Sequence, residues 1–366
     1  GGAASLFSHL AAKPAEQASG GATAAAPAAA PATPPGPAAV AAAASAGSLA
    51  AATAPSGTAG AGAAVSPRQQ HLDECAKQVS RLEEVEASLQ GFKKDASHKD
   101  FRLRAKKGVN TKVSQISATW NRIRDCTTGL CETLAQLLQD PDALKRQFVE
   151  YAAAERLADD AEVGIKAQPR AAWPVAQVVV RVFAKFPAVE ELFWGFMYKA
   201  CPYLVPNFSG SRLGRTGPAP GQRPDEPFVD FADRMVSYQR LQLAILVTRE
   251  ELGPVWQWLA RTLNEPPAPI TATLLHAALE MAGADAQARY RQQFLKLVEY
   301  IHRDYMPELE ALQGKVRGEE ADQLRASLSR LRLWLEEFRG RGRRRAPPPN
   351  GRQIDVTEES EISTDY

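Results

Sequence analysis

Four cysteines in 366 residues (Cys75, Cys126, Cys131 and Cys201) are too few and too scattered for a disulfide framework, which points to a reduced compartment, cytosol or nucleus. Cys126 and Cys131 stand five apart with no second pair at zinc-ligand spacing. The five histidines (His9, His71, His98, His276 and His302) form no His-Glu-x-x-His pattern, so buried thiols are expected and a metal centre is not. No charge-free apolar run is long enough for a membrane span. The chain opens Gly-Gly, without Met or a basic leader, so no signal peptide is expected and the first residue reads as an artificial start. Catalytic signatures are also missing: there is no Gly-x-Ser-x-Gly and no Gly-rich strand-to-helix turn. The stretch GSRLGRT from Gly210 imitates a phosphate-binding loop but lacks the Gly-Lys-Ser/Thr ending and a preceding strand. Asp159, Asp160 and Glu162 read more simply as a helix surface than as an acid–base pair. The chain is therefore read as non-enzymatic. With a net charge of only +2, any electrostatic role must come from local clustering.

What the chain does contain is helical periodicity between two biased ends. Residues 1–66 are mostly Ala, Gly, Pro, Ser and Thr, and cannot bury enough apolar surface to offset ordering entropy, so disorder is expected there. The end, 339–366, joins a basic RGRGRRR run to an acidic DVTEESEISTDY and is expected to be disordered too. Between them, 67–91 carries a heptad trace (Leu72, Cys75, Val79, Leu82, Leu89, interrupted by Glu86), fitting either the tail of a coiled coil or a helix on a domain edge. Residues 92–338 then supply about 250 residues of mostly helical pattern, enough for one large core.

Val113, Ile116, Trp120 and Ile123 share a helical face that continues through Leu130, Leu134, Leu137 and Leu138. Asp140-Pro141 reads as an N-cap and first helical residue, with the helix running to about Asp160. Pro174 opens a helix apolar almost all round, which belongs at the centre of a core, and the following helix should pair with it. Residues 207–226 read as a mobile loop; helices follow over Phe228–Thr248, from Pro254, from Thr271, from Tyr290 to Pro307 and over Glu319–Phe338. Without any persuasive alternating strand, the fold class is all-α, in HEAT-like stacked antiparallel helix pairs.

Two features point to an anion. Residues 92–112 hold eight basic side chains (Lys93, Lys94, Lys99, Arg102, Arg104, Lys106, Lys107 and Lys112) against Asp95 and Asp100. A solvated helix face explains such a run, and so does a phosphate site, where several screened contacts add up. RNA is a third reading, weakened by poor aromatic interleaving, Phe92 and Phe101 only. The second feature is ELFWGFMYKACPYLVP (Glu191–Pro206): an apolar helix that Pro202 should stop near Ala200 or Cys201, with Lys199 in its last turn. A cation there suits the helix dipole, and it would also suit a bound anion.

The order KVSQIS (112–117), AEVGIKAQPRAAWPVA (161–176), FPAVEELFWGFMYKACPYLVP (186–206), ITATLLHAALEMAG (270–283) and YRQQFLKLVEYIHRDYMP (290–307) resembles the C-terminal domain of the Gle-one family of mRNA-export mediators over about 95–338. The resemblance implies a HEAT-like domain at the cytoplasmic face of the nuclear pore complex and in the cytoplasm, with roles in export, transport and translation. It implies activation of a DEAD-box RNA-dependent ATPase, docking on a phenylalanine-glycine nucleoporin, no membrane, and RNA contact only indirectly. In fungal members inositol hexakisphosphate tethers the two proteins, and the matching positions here are Lys106 and Lys199, with Lys107, Lys112 and Lys166 nearby. Two departures stand out: Ala200 occupies the place of a second lysine, and YAAAERLADD, basic in fungal members, has only Arg156 and two aspartates at its end. Each lost cation removes a charge-assisted contact, so a weakened pocket is expected. A passive pore adaptor and an RNA-binding solenoid are the alternatives to activation.

Overall fold

The computed structural model describes residues 67–206, 217–340 and 352, and among them every regular element is helical. The GSRLGRT stretch, residues 1–66 and nearly all of the C-terminal tail lie outside the described residues. The first helix, α1 (Pro67–Ser88), is followed by a short helical turn, Gln90–Lys94. Its Leu82 and Val85, and Leu89 just beyond it, are buried in the same core as the rest of the domain. The heptad trace is thus a helix laid on the domain.

The basic run folds as α2 (Lys99–Val113), which buries Phe101, Ala105, Val109 and Val113 at four-residue steps and turns its charges outward. Val113 ends that helix. The continuous face expected from Val113 to Leu138 is instead divided, because Thr119 caps a new helix, α3 (Trp120–Leu137), by accepting from the Arg122 N–H at 3.4 Å. Gly108 faces Thr133 and Gly129 faces Lys112, so α2 and α3 run antiparallel, and a Cβ on Gly108 would lie 2.9 Å from the Thr133 methyl. The next helix, α4 (Ala143–Asp160), begins two residues later than its Asp-Pro signal. Asp140 accepts from the Asp142 N–H at 3.0 Å, forming a turn, and Asp142 is the true cap through Leu144 N–H at 2.8 Å. A π turn, Ala161–Ile165, extends α4.

Helix α5 (Ala172–Phe183) is buried almost all round, as its sequence predicts, and Phe183 stacks toward Phe193 of α6 (Pro187–Ala200) at 5.0 Å. Helix α6 ends where Pro202 requires, and Gly195 at its centre lets α1 approach: a Cβ there would sit 2.7 Å from the Gln78 carbonyl and 2.9 Å from Leu82 Cβ.

Residues 217–227 form a strap into α7 (Phe228–Thr248), fixed by a buried clasp. Arg234, 3% exposed, donates from Nε and Nη2 to the two Glu226 oxygens at 2.8 and 2.5 Å and from Nη2 to the Gly221 carbonyl at 2.8 Å. Gly221 needs its φ of +79°, and Pro202 leaves no room for a Cβ beside it. Next come α8 (Leu252–Leu263), α9 (Thr271–Tyr290), α10 (Gln292–Tyr300), α11 (Met306–Gln313) and α12 (Glu319–Gly340). Pro307 does not stop the chain as expected. A π turn, Ile301–Tyr305, precedes it, so the proline falls in the first turn of α11, where a missing N–H costs little. Arg339 meets His302 of the π turn at 2.7 Å and Arg332 meets Glu310 of α11 at 2.8 Å, so the π turn and α11 run antiparallel to α12. The all-α, HEAT-like class read from the sequence holds, with these boundaries corrected.

Candidate functional site

Five segments bring charged side chains to one buried hydroxyl. Tyr151, in the middle of α4, is 5% exposed; its ring packs edge-on to Phe196 of α6 at 5.2 Å, and the Lys93 ammonium sits 3.6 Å above the ring centroid. Its hydroxyl donates toward Glu155 Oε1 at 3.1 Å and lies 3.5 Å from Glu86 Oε1. The second oxygen of each carboxylate takes a lysine: Lys199 Nζ reaches Glu86 Oε2 at 2.7 Å, and Lys106 Nζ reaches Glu155 Oε2 at 3.0 Å. A chain of contacts thus runs Lys199–Glu86–Tyr151–Glu155–Lys106, from the end of α6 across α1 and α4 to α2.

The electrostatics follow from this crowding. Burial drives the Lys93 ammonium below its usual range, opposed by Glu155 and Glu86 and reinforced by Lys106 and Lys199. Burial likewise raises the Tyr151 phenol well above its ordinary value, and the two carboxylates add to the rise, so it remains a proton donor across the physiological range. Asp159, one helical turn beyond Glu155 on α4, is raised by burial and by Glu155.

Lys106 and Lys199, far apart in sequence, each pair with a carboxylate that faces the same Tyr151 hydroxyl. The other three candidates do not join them. Lys107 is exposed and, one residue on from Lys106, points roughly 100° round the helix. Lys112 lies along Gly129 of α3, and Lys166 pairs with Asp230 at 3.2 Å. Lys93 entered the sequence reading only as one of eight basic residues in the run, and the parts of Tyr151, Glu155 and above all Glu86 were missed. Glu86 was visible as the break in the heptad trace: an acidic residue on an otherwise apolar stripe must face something polar.

A second surface is a cleft of ≈ 180 Å³ lined by Trp194, Tyr198, Leu243, Leu246 and Trp258, with Arg249 at its edge. The four cysteines are free, buried thiols; burial pushes Cys75 up to about 11 and Cys201 to about 12, so neither is a ready nucleophile. Among the described residues no cluster of metal-ligating side chains occurs, and no helix is long and apolar enough to cross a membrane.

The family model described as GLE1-like protein matches residues 80–302, which include Glu86, Lys93, Lys106, Tyr151, Glu155 and Lys199. The chain belongs to the GLE1-like family. Relatives named mRNA export factor GLE1 are 29% identical in Rattus norvegicus, over 77% of this chain and 43% of that protein, and 22% identical in Saccharomyces cerevisiae, over 67% and 47%. The chain thus spans less than half the length of these relatives. A solved structure described as the S. cerevisiae Dbp5 C-terminal domain bound to Gle1 and IP6 contains a chain that matches 76% of this one at 18% identity and a TM-score of 0.61. At that identity the match concerns the fold, and it agrees with the helical architecture above. A family named for an export factor fits the non-enzymatic reading.

Do the residues present suit an inositol polyphosphate? Three ammonium groups converge, which is the right donor chemistry. Glu86 and Glu155, however, already hold Lys199 and Lys106, and leave the five charged side chains of the cluster with a formal charge of only +1. As the side chains stand, the site does not fit such a ligand.

Proposed function

We propose that this chain is the ATPase-activating part of an mRNA export factor: a non-catalytic helical scaffold that binds a DEAD-box RNA-dependent ATPase at the cytoplasmic face of the nuclear pore complex and speeds its turnover. The GLE1-like match over 80–302 carries the reading. The solved complex of Gle1 with the Dbp5 C-terminal domain supports the class of partner. In this proposal the surface around Tyr151, between the middle of α2 and the end of α6, meets the ATPase, because lysines from separate helices are held there in fixed register. Docking on a phenylalanine-glycine nucleoporin belongs to the same proposal.

A direct RNA-binding role is less well supported. Phe92 and Phe101, the aromatics within the basic run, are 4% and 7% exposed and offer bases no stacking platform.

The deciding measurement is RNA-dependent ATP hydrolysis by a DEAD-box export ATPase with and without the chain. Faster turnover at saturating chain is expected; nucleoporin binding with unchanged turnover would make the chain a passive adaptor, and the activation reading would fall.

A further inference from the structure

The lysine cluster carries its own anions. Glu155 is held at both oxygens, by Lys106 and by the Tyr151 hydroxyl, while Glu86 takes Lys199 on one oxygen and turns the other toward the same hydroxyl at 3.5 Å; the two arrive from different helices, Glu86 from α1 and Glu155 from α4. Tyr151 is fixed by burial and by the Phe196 ring, so the carboxylates converge on a rigid point rather than on mobile surface. We infer that Glu86 and Glu155 are resident counter-anions that take the place of a bound polyanion, so that the Lys93, Lys106 and Lys199 cluster is complete without a ligand and disfavours inositol polyphosphates until those carboxylates are removed.

The physical reason is charge bookkeeping at close range. A polyphosphate approaching Lys106 and Lys199 must share them with Glu155 and Glu86 or displace those carboxylates, and Glu155, bonded to Tyr151, and Glu86 beside it stay a few ångströms from the incoming phosphates. The charge-assisted gain at each lysine is then offset by repulsion between the phosphates and the carboxylate already beside it. Replacing both carboxylates by amides keeps the shape and leaves three uncompensated cations around one hydroxyl. Tyr151 is a positioning residue in this arrangement: without its hydroxyl the carboxylates keep their charge but lose their anchor.

The inference rests on the proposed function only for the cluster's part in activation; ligand binding is measured without the ATPase, so the two can fail separately. The experiment is titration calorimetry of inositol hexakisphosphate into the full chain at about 0.15 M salt, where surface charge effects are damped but not abolished. Wild type is expected to bind weakly. Glu86→Gln with Glu155→Gln should bind at least about tenfold more tightly. Tyr151→Phe should fall between the two. Adding Lys106→Gln and Lys199→Gln to the glutamine pair should abolish the gain, whereas adding Lys107→Gln, off the cluster, should leave it intact. Equal affinity in wild type and the glutamine pair would overturn the inference, as would a gain that survives loss of Lys106 and Lys199. If the glutamine pair folds poorly, Glu155→Gln alone gives the same comparison. Thermal unfolding gives an independent readout: the ligand should raise the midpoint of the glutamine variant by more than that of wild type.

Discussion

The Tyr151 cluster and the Arg234 clasp use the same residue types to opposite ends. In the cluster, Lys106 and Lys199 keep 55% and 44% of their side-chain surface in water, and each pairs with a glutamate through a single nitrogen. In the clasp, Arg234 and Glu226 retain 3% and 10%, bind through a two-pronged fork, and satisfy a carbonyl besides. Solvent screens the first set, so its bonds can exchange at small cost. Burial commits the second, because either partner alone would be a desolvated charge. Charge at the surface is thus available for recognition, and charge in the interior closes the chain on itself.

The largest expected effect breaks the clasp. Arg234→Met should lower unfolding free energy by about 3–5 kcal/mol in urea, because Glu226 is left buried without its partner. Adding Glu226→Leu should restore much of the loss, since an apolar pair carries no desolvation cost. Glu226 also gives a pH test. Burial pushes its carboxyl up, but the Arg234 bonds and the Arg223 N–H outweigh that and hold it below its usual value. A depressed carboxyl contributes stability that is fully present above its unfolded value near 4.5 and is lost as pH falls through the lower folded value. The stability gap between wild type and the Met/Leu pair should therefore close as pH drops below about 4.5. A gap independent of pH would show that the clasp is not electrostatic.

How much of this contrast could be read from the sequence depends on range. Helix periodicity and breakers are local, so the ends of α6 and α7, the all-round burial of α5 and the stripe of α12 were legible. Boundaries failed where two local signals competed. Asp140-Pro141 formed a turn before the cap at Asp142, and Pro307 fell in the first turn of α11 behind a π turn. Lys106 and Lys199 entered as candidates through the family resemblance, and their meeting depends on how α2 and α6 pack, which no local pattern encodes. The partners of those lysines were illegible for the same reason: Glu86 is 113 residues from Lys199 and Glu155 is 49 from Lys106. Arg234 was hidden differently, as a charge within a strongly apolar helix whose partner lies in a loop-like strap.

A mid-sized effect should separate the two regions. Gly195→Ala places a Cβ within 2.9 Å of Leu82 and closer still to the Gln78 carbonyl, so α1 must shift, at a cost of about 1–3 kcal/mol. Because Glu86 rides on α1, the shift should loosen the Lys199–Glu86 pair while leaving Arg234 and Glu226 untouched. Backbone amide exchange resolved along the chain is the check. Faster exchange should be confined to α1 and α6, and equal loosening of the strap at 217–227 would mean the regions are coupled.

The smallest expected stability effect comes from the cluster itself, and it is the most informative about function. Lys199→Gln should change unfolding free energy by less than about 1 kcal/mol, because a half-exposed ion pair gains little over its hydrated ions. The same substitution should nonetheless reduce the proposed stimulation of the ATPase, since a lysine held in register by Glu86 at the end of α6 is a charged contact that a glutamine cannot supply. Raising salt should weaken the wild-type response more than the variant's, because screening removes an interaction that the variant has already lost. If Lys199→Gln instead destabilised the fold as much as Arg234→Met and left stimulation unchanged, the cluster would be a second clasp, and the division between recognition at the surface and closure in the interior would fail.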